Sequence, residues 1–210
     1  VTLFPKIHGV ILDWGGVICE DPSPGFIRYC SLHLGVDSKA LALAVSHHIH
    51  DFMRGTPEPA FWKNVGDELG LSLLRKHGIA QAYESLWGKA LAAVYVPIQE
   101  TLDIARELTK RGIRMGLLTN TEPPSKIFHL SQGYDFFVGR VFSCDEGIIK
   151  PQAEIYRLAA QRLGLDPQEC LMVDDRAENI EGAAQVNMLC HQFSNPAELR
   201  RSLIELGILA

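Results

Sequence analysis

No apolar run in the 210 residues reaches the ~20 consecutive positions that a membrane-spanning helix requires, so a bilayer is not an expected environment. The first residues carry neither the basic nor the apolar stretch of a secretory signal, and the expected compartment is the cytoplasm. No cluster of Lys and Arg stands out. Acidic residues outnumber basic ones by 25 to 20, a net charge of −5 that argues against nucleic acid as a partner. Cysteine pairs are missing too. Cys19, Cys30, Cys144, Cys170 and Cys190 are far apart, odd in number and free of any C-x-x-C spacing. That pattern suits reduced thiols rather than a disulfide framework or a zinc site. There are no internal repeats and no low-complexity tracts.

What the sequence does contain is an alternation. Five short apolar runs read as buried parallel strands: IHGVIL (7–12), IRMGLL (113–118), RVFSC (140–144), CLMV (170–173) and MLCHQF (188–193). Helical segments follow them at 97–112, 151–164, 176–187 and 196–207. In the first, Pro97 suits the opening turn, Lys110 and Arg111 the closing turn, and Gly112 the stop. Strand–helix alternation of this kind predicts a doubly wound α/β fold with a parallel sheet.

Residues 20–95 break the rhythm. They hold no convincing strand and read as helices at 37–55, 58–70 and 80–94, the first capped by Asp37 or Ser38 and stopped at Gly55. An insert of this length is not a loop. The expected organisation is an α/β core domain from 1–19 and 96–210, with a small helical domain at 20–95 inserted after the first strand.

In open α/β sheets ligands bind at the carboxyl ends of the strands. Strand one ends in Asp13, strand two in Thr119 and Asn120, and strand four in Asp174 and Asp175, with Asn179 close behind. Lys150 follows strand three. Clustered carboxylates hold hard cations through oxygen, which favours Mg²⁺. A hydroxyl, backbone N–H groups and an ammonium suit phosphate oxygens, and an aspartate beside them suits phosphoryl transfer.

The ordered set VILDWGGVI, MGLLTN, IIKPQAEIY and LMVDDRAENIEGA, spanning Asp13 to Asn179, resembles the haloacid dehalogenase superfamily. The insert sits where that family places a helical cap of the first type. The resemblance implies a Rossmann-like core and a role for each matching residue. Asp13 would be the nucleophile and a Mg²⁺ ligand, and the backbone carbonyl of Gly15 a second ligand. Thr119 and the Asn120 N–H would hold the phosphoryl group, and Lys150 would bridge Asp13 and phosphate. Asp175 would bind Mg²⁺ directly and Asp174 through water, while Asn179 would brace the loop.

Gly15 departs from the family pattern, in which phosphatases usually carry an acid/base aspartate at that position. Such a group contributes ~10²–10⁴-fold in rate, so its loss leaves the electrostatic terms in place. Good leaving groups, such as sugar 1-phosphates and acyl phosphates, would suffer least. A branch with a D-x-G first motif, which includes sugar-phosphate phosphatases, has the same glycine. Glu20 and Asp21 are the next carboxylates along the chain.

The expected function is therefore Mg²⁺-dependent hydrolysis of a small phosphorylated metabolite through an aspartyl-phosphate. The alternative is a catalytically weak or silent phospho-ligand or metal-binding protein. A dehalogenase fits less well, since those enzymes need no Mg²⁺ and usually place a bulky aromatic where Gly15 stands. A mutase fits less well because it depends on the missing acid/base. Outside this set, HHIHD (47–51) reads as solvated or substrate-facing residues of a packed helix, Phe61 and Trp62 as cap core, and Arg54 as solvent-facing.

Overall fold

The computed structural model describes residues 6–71 and 86–210. The five strands are β1 (Gly9–Leu12), β2 (Arg114–Thr119), β3 (Phe137–Phe142), β4 (Cys170–Asp174) and β5 (Leu189–Gln192). They form one sheet in the order β3-β2-β1-β4-β5, with every pair parallel. The chain leaves β1 to build one side through β2 and β3, then returns to build the other through β4 and β5. The order therefore reverses between β1 and β4, and a crevice opens at their carboxyl ends.

Side chains alternate across the sheet. Val10, Leu12, Leu117, Leu171 and Val173 enter one apolar layer, closed by Leu102, Ala105 and Leu108 of helix Gln99–Lys110 and by Leu199 and Leu203 of helix Pro196–Glu205. Ile11, Leu118, Val141 and Met172 enter the other, closed by Ile155, Tyr156, Ala159 and Ala160 of helix Ala153–Arg162 and by Ala183 of helix Ala177–Ala184. Burial on both faces is why these strands read as continuous apolar runs.

The third strand differs from its expected place. It starts at Phe137, and Ser143 and Cys144 belong instead to a short helix, Ser143–Glu146. The pairing of β2 with β3 shifts register between Met115 and Gly116, where Phe137 and Gly139 are the successive partners and Val138 is extra. Val138 points out and is exposed. An irregularity of this kind breaks the alternation that a sequence pattern relies on. A helix not expected from sequence, Pro123–Ser131, connects β2 to β3.

Between β1 and the helix Gln99–Lys110 lie α1 (Ser23–Leu34), α2 (Ser38–Met53), α3 (Glu58–Glu68) and α4 (Leu86–Val94). The expected helix at 80–94 is described only from Leu86; positions 80–85 lie outside the described residues. Asp37 caps α2, its carboxylate accepting from the N–H groups of Lys39 and Ala40 at 3.0 Å each. The four helices share an apolar cluster of their own around Phe26, Leu41, Phe52, Phe61, Trp62 and Trp87. Phe61 and Trp62 are thus buried among these helices, and Arg54 lies partly exposed beside Asp51. None of the described helices is long and apolar enough to cross a membrane.

Trp87 joins this cluster to the α/β layers. Its ring stands 4.2 Å from Phe26 and 4.9 Å from Phe52, centre to centre. Its single indole N–H is shared between Ser125 Oγ (2.8 Å) and Glu122 Oε2 (3.1 Å), and Ser125 in turn donates to Glu122 at 2.8 Å. Burial pushes the Glu122 carboxyl up to about 7, against the opposing effect of these donors. The folded state therefore holds this proton more tightly than the unfolded chain. The stabilisation is complete below the ordinary value of 4.5 and is lost as pH rises through about 7. Glu122→Gln, which cannot ionise, should gain on the wild type by up to about 3 kcal/mol between acidic and mildly alkaline pH. Denaturant unfolding of both proteins across that range checks this, and parallel stability curves would contradict it.

Candidate active site

The crevice between β1 and β4 is filled by charge. Leu12 lies in register with Leu117 on one side and Val173 on the other, so Asp13 and Asp174 leave adjacent strands side by side. The ammonium of Lys150 sits between them, 2.8 Å from Asp13 Oδ1 and 2.6 Å from Asp174 Oδ2, and its third donor reaches the Leu118 carbonyl at 3.3 Å. Three donors thus meet three acceptors. The side chains of Lys150 and Asp174 are 1% and 0% exposed, while Asp13 keeps 11%, so Asp13 is the member that opens to the surface.

The second oxygen of Asp174 is also engaged. It accepts from the Arg176 N–H at 3.0 Å and from Asn179 Nδ2 at 2.9 Å. Asn179 is held by Tyr156, whose hydroxyl donates to the Asn179 carbonyl at 2.7 Å. Tyr156 was not singled out from sequence. It lies on the apolar face of its helix, and nothing there distinguishes it from a packing residue.

Burial works against the Lys150 ammonium, but the two carboxylates hold its pKa above the usual lysine value. Burial pushes the Asp13 carboxyl up to about 6, against the pull of Lys150 and with help from the Asp174 charge. Asp175 is likewise raised, by burial and then by Asp174. Each shift follows from one ammonium facing three carboxylates in a space with little water.

One oxygen each from Asp13, Asp174 and Asp175 lies within 4.8 Å of the others. Hard oxygen donors carrying a net negative charge fit a small divalent cation. Among the described residues, no backbone N–H donates to the Gly15 carbonyl.

Asn120 does something that sequence did not suggest. Its side chain accepts from the Lys150 N–H at 2.8 Å and donates to the Lys150 carbonyl at 3.1 Å. One amide therefore reads both backbone groups of the lysine and fixes where its side chain starts. Thr119, at the end of β2, is buried, and among the described residues its hydroxyl makes a long contact of 3.4 Å with the Asn120 carbonyl.

Of the other carboxylates, Asp21 accepts from the Ser23 N–H at the start of α1, and Glu20 is exposed. His47 and His48 both turn to Glu68 across the α2–α3 contact, at 2.8 and 3.1 Å.

The two glycines after Trp14 have unequal roles. Gly16 has φ +77°, and a Cβ there would stand 2.5 Å from Asp175 Oδ2. At Gly15 a Cβ would meet only Pro22 Cδ, at 3.7 Å. Gly16→Ala should lose about 1–3 kcal/mol of stability and displace the Asp175 carboxylate, weakening divalent-cation binding. Gly15→Ala should match the wild type in both respects. Thermal melts and calorimetric cation titrations of the two variants check this. Equal behaviour of the pair would contradict it.

Residues 7–187 match the family model described as haloacid dehalogenase-like hydrolase. Mouse acyl-CoA dehydrogenase family member 10 is 27% identical over 215 residues, covering 90% of this chain but only 18% of the mouse protein. The sesquiterpene phosphatase astK of Aspergillus oryzae is 27% identical over 141 residues, covering 66% of this chain and 68% of that one. Curated relatives include both phosphatases and a haloacid dehalogenase. Among solved structures, the HAD family enzyme bt-2542 of Bacteroides thetaiotaomicron, an aspartate-to-alanine mutant in complex with magnesium and inorganic phosphate, superimposes with a TM-score of 0.71. It is 18% identical, and the match covers 90% of this chain and 95% of that one. The parallel sheet, the charged crevice at its reversal point and the family match over most of the chain lead to one conclusion: this protein belongs to the haloacid dehalogenase-like hydrolases.

Proposed function

We propose that this chain is a Mg²⁺-dependent phosphatase of small phosphorylated metabolites, working through an aspartyl-phosphate on Asp13. The observation that carries this reading is the Lys150 ammonium wedged between Asp13 and Asp174, with Asp175 beside them. A partly exposed carboxylate, oriented by a buried lysine, is a nucleophile held in place. The relatives named as phosphatases, and the structural neighbour solved with magnesium and phosphate, are in keeping with it.

In this reading a carboxylate oxygen of Asp13 attacks phosphorus, a new O–P bond forms, and the bond from phosphorus to the leaving oxygen breaks. The electron pair departs on that oxygen. Water then attacks phosphorus, the bond to Asp13 breaks, and phosphate and the free carboxylate are released. Lys150 holds Asp13 in one orientation throughout and offsets charge near the phosphoryl group. Thr119 Oγ1 and the Asn120 N–H hold phosphoryl oxygens at the end of β2. Mg²⁺ would be held by Asp13, Asp175 and the Gly15 carbonyl, with Asp174 acting through water, and would neutralise phosphoryl charge. The engagement of both Asp174 oxygens by Lys150, Arg176 and Asn179 supports the indirect role.

We also infer that residues 20–95 act as a cap domain on an α/β core made of 1–19 and 96–210. The separate apolar cluster of the inserted helices supports this. Specificity would then come from the cap.

The leaving oxygen has no carboxyl at position 15 to protonate it, so esters with poor leaving groups should react slowly and acyl phosphates or sugar 1-phosphates faster. A Cβ at Gly15 would meet no described atom closer than Pro22 Cδ, at 3.7 Å, so a side chain can start there. Gly15→Asp should raise turnover of simple alkyl phosphates by up to about 10²-fold and change acyl phosphate turnover little. A panel of phosphate esters and acyl phosphates with Mg²⁺, run against EDTA and Asp13→Asn controls, checks both statements. No turnover above the Asn variant would overturn the reading. Phosphate binding without turnover would then favour a silent phospho-ligand-binding protein, the alternative that Gly15 itself motivates.

A further inference from the structure

Two polar bridges run from the inserted helices into the α/β layers, and both reach one short loop or the first turn of the helix that follows it. The first is the Trp87 indole N–H on Glu122 and Ser125. The second runs through Ser143, which is fully buried. Its hydroxyl donates to the Met53 carbonyl at the end of α2 (2.7 Å) and accepts from the Thr121 N–H (2.9 Å). Just beyond α2, Gly55 presses on the Cys144 carbonyl so closely that a Cβ there would stand 2.6 Å away. The loop receiving these contacts is Thr119–Glu122. Its other anchors come from the α/β layers: Asn120 on the Lys150 backbone, and Thr121 Oγ1 with His129 Nε2 at 2.9 Å.

Apolar packing alone would hold helices on a surface without fixing their register. Directional bonds to buried polar atoms fix it, because a displaced partner leaves a donor or acceptor unpaired in a dry place. Here the atoms so fixed, on Thr121, Glu122 and Ser125, are two, three and six residues along the chain from Thr119.

We propose that Trp87 and Ser143 are positioning residues, which transmit the seating of the inserted helices to the loop Thr119–Glu122 and so set its affinity for phosphate. This rests on the reading of Thr119 and Asn120 as phosphoryl-binding. Neither Trp87 nor Ser143 need touch the phosphoryl group. Substrate bodies that alter how the helices sit would thereby alter how tightly the phosphoryl end is held.

The test uses Trp87→Phe, which keeps an aromatic ring, though a smaller one, and deletes the N–H, and Ser143→Ala. Val65→Ala serves as a control: it opens a cavity in the same apolar cluster, where Val65 is 1% exposed, and removes no hydrogen-bonding atom of either bridge. Hydrogen exchange of the peptide containing Thr119–Glu122 is read by mass spectrometry. Affinity for inorganic phosphate, too small to reach across to the helices, is read by calorimetry with Mg²⁺. Each bridge variant should speed loop exchange and weaken phosphate binding about fivefold, the effect of one lost hydrogen bond. Val65→Ala should lower the melting temperature and move neither readout. Unchanged loop exchange or unchanged phosphate affinity in the bridge variants would overturn the coupling, as would an equal response in Val65→Ala. Failure of the wild type to bind phosphate would instead remove the phosphoryl-binding role of Thr119 and Asn120, and exchange would still decide whether the bridges set the loop.

Discussion

Everything in the crevice depends on one buried ammonium. Without Lys150, the Asp13 and Asp174 carboxylates would face each other across adjacent strand ends with their charges uncompensated. Removing one member of such a group typically costs about 3–5 kcal/mol, because a buried charge is left without its partner. The fold supplies the lysine from the side. Lys150 lies beyond β3, with β2 and β1 between that strand and β4, and its backbone is held by the Asn120 side chain at the end of β2. A lysine donates at most three hydrogen bonds, and here all three have acceptors. The ammonium is thus a fixed point rather than a swinging charge, and the Asp13 carboxylate inherits its orientation.

The second constraint is the unequal pair of glycines. Gly16 is required by its backbone conformation and by the Asp175 carboxylate lying against it. Gly15 is required by neither. The missing side chain at 15 is therefore not imposed by packing. On the proposed function, a site without a carboxyl at position 15 suits leaving groups that depart as stable anions.

Much of the crevice was legible because strand ends are legible. Asp13, Thr119 and Asp174 each close a short apolar run, and a parallel sheet brings such ends to one edge. Membership of the haloacid dehalogenase-like hydrolases followed from the same four segments. β3 was misplaced because its extra residue, Val138, breaks the alternation. Helix Pro123–Ser131 was missed although two prolines mark its first turn. The side-chain job of Asn120 left no trace in the sequence, since an amide after Thr119 says nothing about a lysine backbone thirty residues on. Glu122 and Trp87 were equally silent. A carboxylate buried against an indole from an inserted helix is a product of tertiary contact, with no periodicity to announce it.

The central claim is that Asp13 carries the phosphoryl group. It is tested most directly by mixing the protein with Mg²⁺ and an acyl phosphate, quenching in acid within a turnover, and sequencing the peptides by mass spectrometry. The prediction is one added phosphoryl group on Asp13, lost on alkaline treatment and absent from Asp13→Asn. Steady turnover with Asp13 unmodified, or with the phosphoryl group on another residue, would contradict the account.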